Sequence, residues 1–157
     1  MNQFSIISKN EEETGTIAQL IAPNVDLGDV IILDGNLGTG KTHFVKAFAG
    51  KLGSPNPVTS PTFTIANFYT LNQGNLLHID TYRLSGISEF RDLGLEDYFS
   101  QSIMLIEWGT KVITEFDDYL LISFEFVDLN TRKITLSYVG EQWAAKFNSL
   151  VQKLITL

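Results

Sequence analysis

The sequence predicts one α/β domain spanning residues 1–157, and three observations predict it. Short apolar runs rich in β-branched residues, VIIL at 30–33 and IMLI at 103–106, have the character of strands buried on both faces. Segments of helical periodicity stand between such runs. A glycine loop joins one run directly to a helical segment, and no repeat, low-complexity tract or linker interrupts the chain. The length lies near the prior of about 150 residues for one domain. With 44% apolar and 18% charged residues there is ample material for a core, which excludes an intrinsically disordered chain.

Taken in order, FSII at 4–7 reads as a short strand. Asn10 is an N-cap with Glu13 three positions on, opening a helix through Leu20, Ile21 and Ala22 that Gly15 weakens. Gly28 marks a turn before the strand at 30–33. After the glycine loop, Phe44, Val45, Phe48, Ala49 and Leu52 recur at helical spacing, and Gly53, Pro55 and Pro57 end that helix. Residues 63–71 (FTIANFYTL) and 75–80 (NLLHID), joined by Asn72, Gln73 and Gly74, read as a β-hairpin. Short helical patterns follow around Phe90 and Leu93 and around Leu95, Tyr98 and Phe99. The strand at 103–106 comes next. Residues 119–127 and 132–139 form a second hairpin about Asp128, Leu129 and Asn130. Trp143, Phe147, Leu150, Val151 and Leu154 mark a C-terminal helix.

Composition excludes several function classes. The chain has no cysteine, so disulfides, thiolate metal sites and cysteine nucleophiles are absent, and two histidines cannot make a histidine-rich metal centre. The N-terminal residues lack the basic start and apolar core of a secretory signal, and no apolar run approaches the roughly 18 residues needed to span a bilayer, so a cytoplasmic location is expected. A net charge of -7 argues against unaided binding of nucleic acid, whose affinity comes largely from basic residues displacing phosphate counterions.

Residues 35–42 carry the chemistry. Gly35, Asn36, Leu37, Gly38, Thr39, Gly40, Lys41 and Thr42 match the Walker A pattern in full. Glycines let backbone N–H groups turn inward around a polyphosphate, and the following helix adds the positive end of its dipole. Lys41 is expected to reach the β and γ phosphates, and Thr42 to give its hydroxyl to Mg²⁺. In open α/β sheets ligands collect beyond the C-terminal strand ends. Two other apolar strands end there in Asp80 and Glu107. If the strands are parallel neighbours, both carboxylates meet the loop, as Mg²⁺ ligands or as the group that positions a water. Spacing does not divide those tasks, and either residue could instead face solvent or cap a turn. Asp34 reads as structural. The segment at 58–63 offers Thr59, Ser60 and Thr62 around Pro61. It reads either as a plain polar loop or, through Ser60 and Thr62, as a switch responsive to the γ-phosphate.

With these blocks in view the chain resembles the bacterial TsaE (YjeE-like) family, the ATPases of tRNA threonylcarbamoyladenosine biosynthesis. The glycine loop, SPTF at 60–63, HIDTYRL at 78–84, DLGLEDY at 92–98 and IEWG at 106–109 occur in that family's order and spacing. The resemblance implies a P-loop NTPase-like three-layer fold, a mixed, mostly parallel sheet with β-hairpins and helices on both faces. It implies ATP and Mg²⁺ as cofactors. It further implies a role in forming N6-threonylcarbamoyladenosine at adenosine 37 of tRNA, with the transfer chemistry belonging to TsaD-like and TsaB-like partner subunits and tRNA met only indirectly. By matching motifs, Lys41, Asp80 and Glu107 would be catalytic, and Thr42, Asp80 and Glu107 would hold the metal. Trp108 would lie beside the nucleotide, with Thr14 and Arg132 as further nucleotide contacts; His43, which opens the helix, reads either as a nucleotide contact near the α-phosphate or as a partly exposed helix residue. Asn36 and His43 depart from the family's usual aspartate and hydroxyl residue. His78, two before Asp80, either supports that carboxylate or fills space.

Other readings make different demands. A GTPase needs an Asn-Lys-x-Asp element, which is missing. A small-molecule P-loop kinase usually brings an arginine-rich lid, whereas this chain has only Arg83, Arg91 and Arg132. A nucleotide-dependent interaction module would need only different partner affinities in its two states, with Tyr82, Arg83, Phe90 and Tyr98 as a candidate partner surface, although such aromatics read equally as core residues of a small domain. The isolated chain is expected to hydrolyse ATP slowly and to be stimulated by its partners.

Overall fold

The computed structural model describes residues 2–55, 57–59, 61 and 65–157. Seven strands form one sheet: β1 (Gln3–Ser8), β2 (Val30–Gly35), β3 (Ala66–Thr70), β4 (Asn75–Asp80), β5 (Ser102–Glu107), β6 (Tyr119–Phe126) and β7 (Arg132–Val139). Their order is β1-β7-β6-β2-β5-β4-β3. The central run β6-β2-β5-β4 is parallel, and antiparallel pairs close both edges. Parallel neighbours need crossovers, and the helices supply them. The helices are α1 (Glu11–Ile21), α2 (Lys41–Lys51), α3 (Ile87–Asp92) and α4 (Glu141–Ile155).

Alternation along the central strands builds a core on each face. Ile31 and Leu33 of β2 and Ile103 and Leu105 of β5 point to one side, where α1, α2 and α4 bury Ile17, Phe44, Phe48, Trp143 and Phe147. Val30, Ile32, Met104 and Ile106 point to the other, under Phe90 of α3 and Val112. Each large side chain removed from water in these layers contributes about 2 kcal/mol. The three-layer, mixed α/β architecture expected from the sequence is therefore the architecture present. No helix among the described residues is long and apolar enough to cross a membrane.

Several local expectations are met in detail. Asn10 caps α1 by accepting from the Glu13 N–H at 2.8 Å, and Glu13 returns a bond to the Lys9 N–H at 2.7 Å. Gly15, expected to weaken α1, lies against α2, where a Cβ would meet Ala47 Cβ and His43 Nε2 at 3.5 Å. Those are ordinary contact distances, so the helix pairing has room for a methyl group there. The first hairpin begins at Ala66; the part of the predicted arm at 63–64 lies outside the described residues. Of the two readings of Phe90, partner surface or core, the structure selects the core. Phe90 is only 3% exposed, packed with Phe99 and Phe116, and so belongs to the core rather than to a partner surface, whereas Tyr82 and Tyr98 are exposed.

Candidate functional site

The glycine loop turns sharply out of β2. Gly35 has φ +155°, and a Cβ there would come within 2.8 Å of the Phe124 carbonyl and 2.9 Å of Thr39 Oγ1, so a side chain has no room. Gly40, in the left-handed region at φ +102°, is the N-cap residue of α2. Between them Thr39 folds the loop back, its hydroxyl and N–H both reaching the Asn36 carbonyl. Asn36, Leu37 and Gly38 are exposed, as the outer turn of a loop whose work is done by backbone should be.

The loop is clamped from the far side of the sheet. Arg132, at the start of β7, donates from Nε to the Thr39 carbonyl at 3.1 Å and from an Nη to the Gly38 carbonyl at 3.3 Å, while its guanidinium lies 4.3 Å from the Phe126 ring centre. Arg132 thus holds the outer carbonyls of the loop. Thr14 also lies close by, but its hydroxyl is engaged with Ser8 Oγ at 2.7 Å, and its methyl is the group nearest Gly40.

Lys41 is 5% exposed. Its Nζ donates to the Gly35 carbonyl at 2.5 Å and lies 3.5 Å from the Trp108 ring centre. Burial pushes the ammonium below the usual lysine range, and the charges of Glu107, Asp80 and Asp34 oppose that shift only in part. Asp34, read as structural, therefore adds to the negative potential around Lys41. Trp108 reaches its position through a left-handed backbone, φ +59°, unusual for a bulky residue. Its N–H is tied to the Leu33 carbonyl at 2.9 Å and its carbonyl to Thr81 Oγ1 at 2.7 Å. Tyr82 packs against its ring, with centroids 5.1 Å apart. Lys111 steadies the segment after β4 by donating to the carbonyls of Thr81, Tyr82 and Leu84.

Asp80 and Glu107 are opposite one another in the parallel β4–β5 register and lie on the face that carries α2. Both are nearly buried, 5% and 3% exposed. Asp80 accepts from the Tyr82 N–H at 2.8 Å. His78 does not bond Asp80; its Nε2 bonds Glu107 Oε2 at 2.5 Å. The i, i+2 relation does put His78 and Asp80 on one face, but the β4–β5 stagger brings the imidazole diagonally to Glu107 instead. One cleft of about 260 Å³ is lined by Lys41, Thr42, His43, Asp80, Glu107 and Trp108 together with the loop glycines 38 and 40. Ser60 and Thr62, the candidate switch, lie outside the described residues. Sequence reasoning missed Lys111, Thr81 and Phe126. Lys111 and Thr81 act through contacts about 30 residues away in the chain, and Phe126 acts on Arg132 across the hairpin; no local pattern marks any of them.

A parallel strand, a tight glycine loop and a helix, with carboxylates at the ends of two neighbouring strands, define a phosphate-loop α/β fold. Residues 8–134 match the family described as threonylcarbamoyl adenosine biosynthesis protein TsaE, and the chain belongs to that family. It is 40% identical over 145 residues to the tRNA threonylcarbamoyladenosine biosynthesis protein TsaE of Bacillus subtilis, covering 91% of this chain and 90% of that protein. It is 35% identical over 133 residues to the TsaE of Aquifex aeolicus, covering 83% and 93%. Among solved structures, Bacillus subtilis YdiB superposes with a TM-score of 0.78 at 35% identity, covering 96% of this chain and 95% of that one.

Proposed function

We propose that this protein is a Mg²⁺-dependent, ATP-binding and ATP-hydrolysing component required for N6-threonylcarbamoyladenosine formation at adenosine 37 of tRNA. It works in the cytoplasm on a TsaD-like and TsaB-like transferase pair, touching tRNA only through them. The observation that carries the reading is the convergence of Lys41, Thr42, Asp80 and Glu107 on one cleft at the mouth of the glycine loop.

The residues suit both ligands. Among the described residues no three His, Asp or Glu side chains form a self-contained metal cage. That agrees with Mg²⁺, which is usually held by one or two carboxylates together with substrate phosphates. Of the three expected ligands, Thr42 and Asp80 would hold the ion, which leaves Glu107 for the water. Bound there, Mg²⁺ would neutralise charge on the phosphate oxygens. Lys41, already desolvated, exchanges the Gly35 carbonyl for phosphate oxygens. Trp108 screens that ammonium from water on one side, and the N–H groups of the loop and of the first turn of α2 face the phosphates. Glu107, with one carboxylate oxygen bonded to His78, orients the attacking water with the other.

The small-molecule kinase reading draws no support from Arg91 or Arg132: Arg91 is paired with Glu115 and Arg132 with the outer loop carbonyls. Nucleoside analysis of tRNA from cells depleted of the protein tests the proposal. Threonylcarbamoyladenosine is expected to fall sharply and to return with the wild-type chain but not with Lys41→Ala. An undiminished level would refute the role.

A further inference from the structure

His78 is fully buried on β4, and its Nε2 lies 2.5 Å from Glu107 Oε2. Among the described residues its other nitrogen, Nδ1, is buried without a hydrogen-bond partner. A protonated Nδ1 would be an unsatisfied donor in an apolar layer, and an unprotonated Nε2 would set two acceptors against each other. The arrangement with neither penalty places the proton on Nε2 and points it at Glu107. Leu76, two before it on β4, and Leu105, its register partner on β5, share its buried sheet face, so no solvent reaches the ring to redirect its donor.

Glu107 therefore has one oxygen engaged from below by a rigid donor, and the carboxylate is fixed with its remaining oxygen toward the cleft. We infer that His78 is a positioning residue for Glu107, restricting it to one oxygen and one orientation during hydrolysis. This inference rests on the ATPase reading above. Without the imidazole the carboxylate would keep its charge but gain rotational freedom, so binding of nucleotide would persist while water orientation is lost. Partners of this kind commonly change activity by about 10- to 100-fold when removed.

The test uses the purified full chain. Mg-ATP hydrolysis is measured alongside ADP affinity by calorimetry for wild type, His78→Leu, His78→Gln and His78→Asn. A glutamine amide reaches the place of Nε2, whereas an asparagine amide reaches only that of Nδ1. The expected result is a kcat lowered about tenfold or more in His78→Leu and His78→Asn, with ADP affinity within about threefold of wild type, and substantial recovery in His78→Gln. In a Glu107→Gln background, His78→Leu should add little further loss, because the two residues act as a unit. Equal kcat in all four proteins, parallel loss of affinity and kcat, or full additivity with Glu107→Gln would overturn the inference while leaving the ATPase reading intact. If His78→Leu does not fold, the contrast between His78→Gln and His78→Asn decides alone. A wild-type chain that hydrolyses no ATP, alone or with its transferase partners, would overturn both.

Discussion

Replacing Lys41 with methionine separates the two environments of this side chain. Methionine keeps an unbranched apolar stem against the Trp108 ring but removes the ammonium and its bond to the Gly35 carbonyl. Burial already holds that ammonium below its ordinary range of 10.5, so the fold carries a charged group it accommodates poorly. Loss of the charge relieves desolvation and forfeits one hydrogen bond and a cation–π contact, terms of similar size and opposite sign. The melting temperature should stay within about 3 °C of wild type, equivalent to roughly 1 kcal/mol in a domain of this size. Nucleotide binding should suffer far more. A hydrogen bond to a charged partner contributes about 1.5–3 kcal/mol, which is roughly a 10- to 150-fold loss of ATP affinity.

Calorimetric titration with ATP and a thermal melt measure the two quantities. In the wild type, Trp108 fluorescence reports departure of Lys41 over the steady background of fully buried Trp143. The pH dependence follows from the sign of the shift. Because the folded-state pKa lies below 10.5, the unfolded chain holds the proton over the window between the two values. Wild-type stability should therefore gain as pH rises through that window, and ATP affinity should fall there. Both trends should vanish in the variant. A melting temperature lowered by 8 °C or more, or ATP affinity unchanged, would show Lys41 to be a structural staple instead.

Two further outcomes are expected. Glu107→Gln preserves the bond to His78 but puts an amide NH2, which cannot accept from water, in place of the cleft-facing oxygen, so kcat should fall about a hundredfold or more while ATP affinity changes by less than about threefold; equal losses would contradict the water-orienting role. Gly140→Ala should lower the melting temperature by about 4–8 °C, since φ is +99° and the new Cβ would overlap Asp118 Oδ1, which accepts from the Gln142 N–H and caps α4. Its activity at low temperature should persist, and an unchanged melt would refute the cap.

What could be read from the chain and what could not divide along the range of the interaction. The strand, glycine loop and helix at 30–52 were legible because local periodicity, turn residues and a motif all agree there. So were both hairpins and the C-terminal helix. The meeting of Asp80 with Glu107 required only that two apolar strands be parallel neighbours, and the β4–β5 register makes them so. The partner of His78 could not be read, because the i, i+2 rule names the shared face but not the stagger of the adjacent strand. Surface and core stay open for Phe90 in the sequence because the helical pattern around it is short; its packing with Phe99 and Phe116 appears only in three dimensions. Asp118 capping a helix that begins 23 residues later leaves no local trace either.

The clamp from Arg132 to the carbonyls of Gly38 and Thr39 also bears on synthesis. The loop leaves the ribosome long before the residue that holds its outer turn. β1, the first strand made, pairs with β7 alone, Gln3 facing Ser137. Vectorial growth thus leaves the opening strand and the glycine loop waiting on the same late segment. A nascent chain halted before β7 carries the whole Walker A motif yet lacks the brace on its turn, so the braced loop exists only once synthesis has passed Arg132.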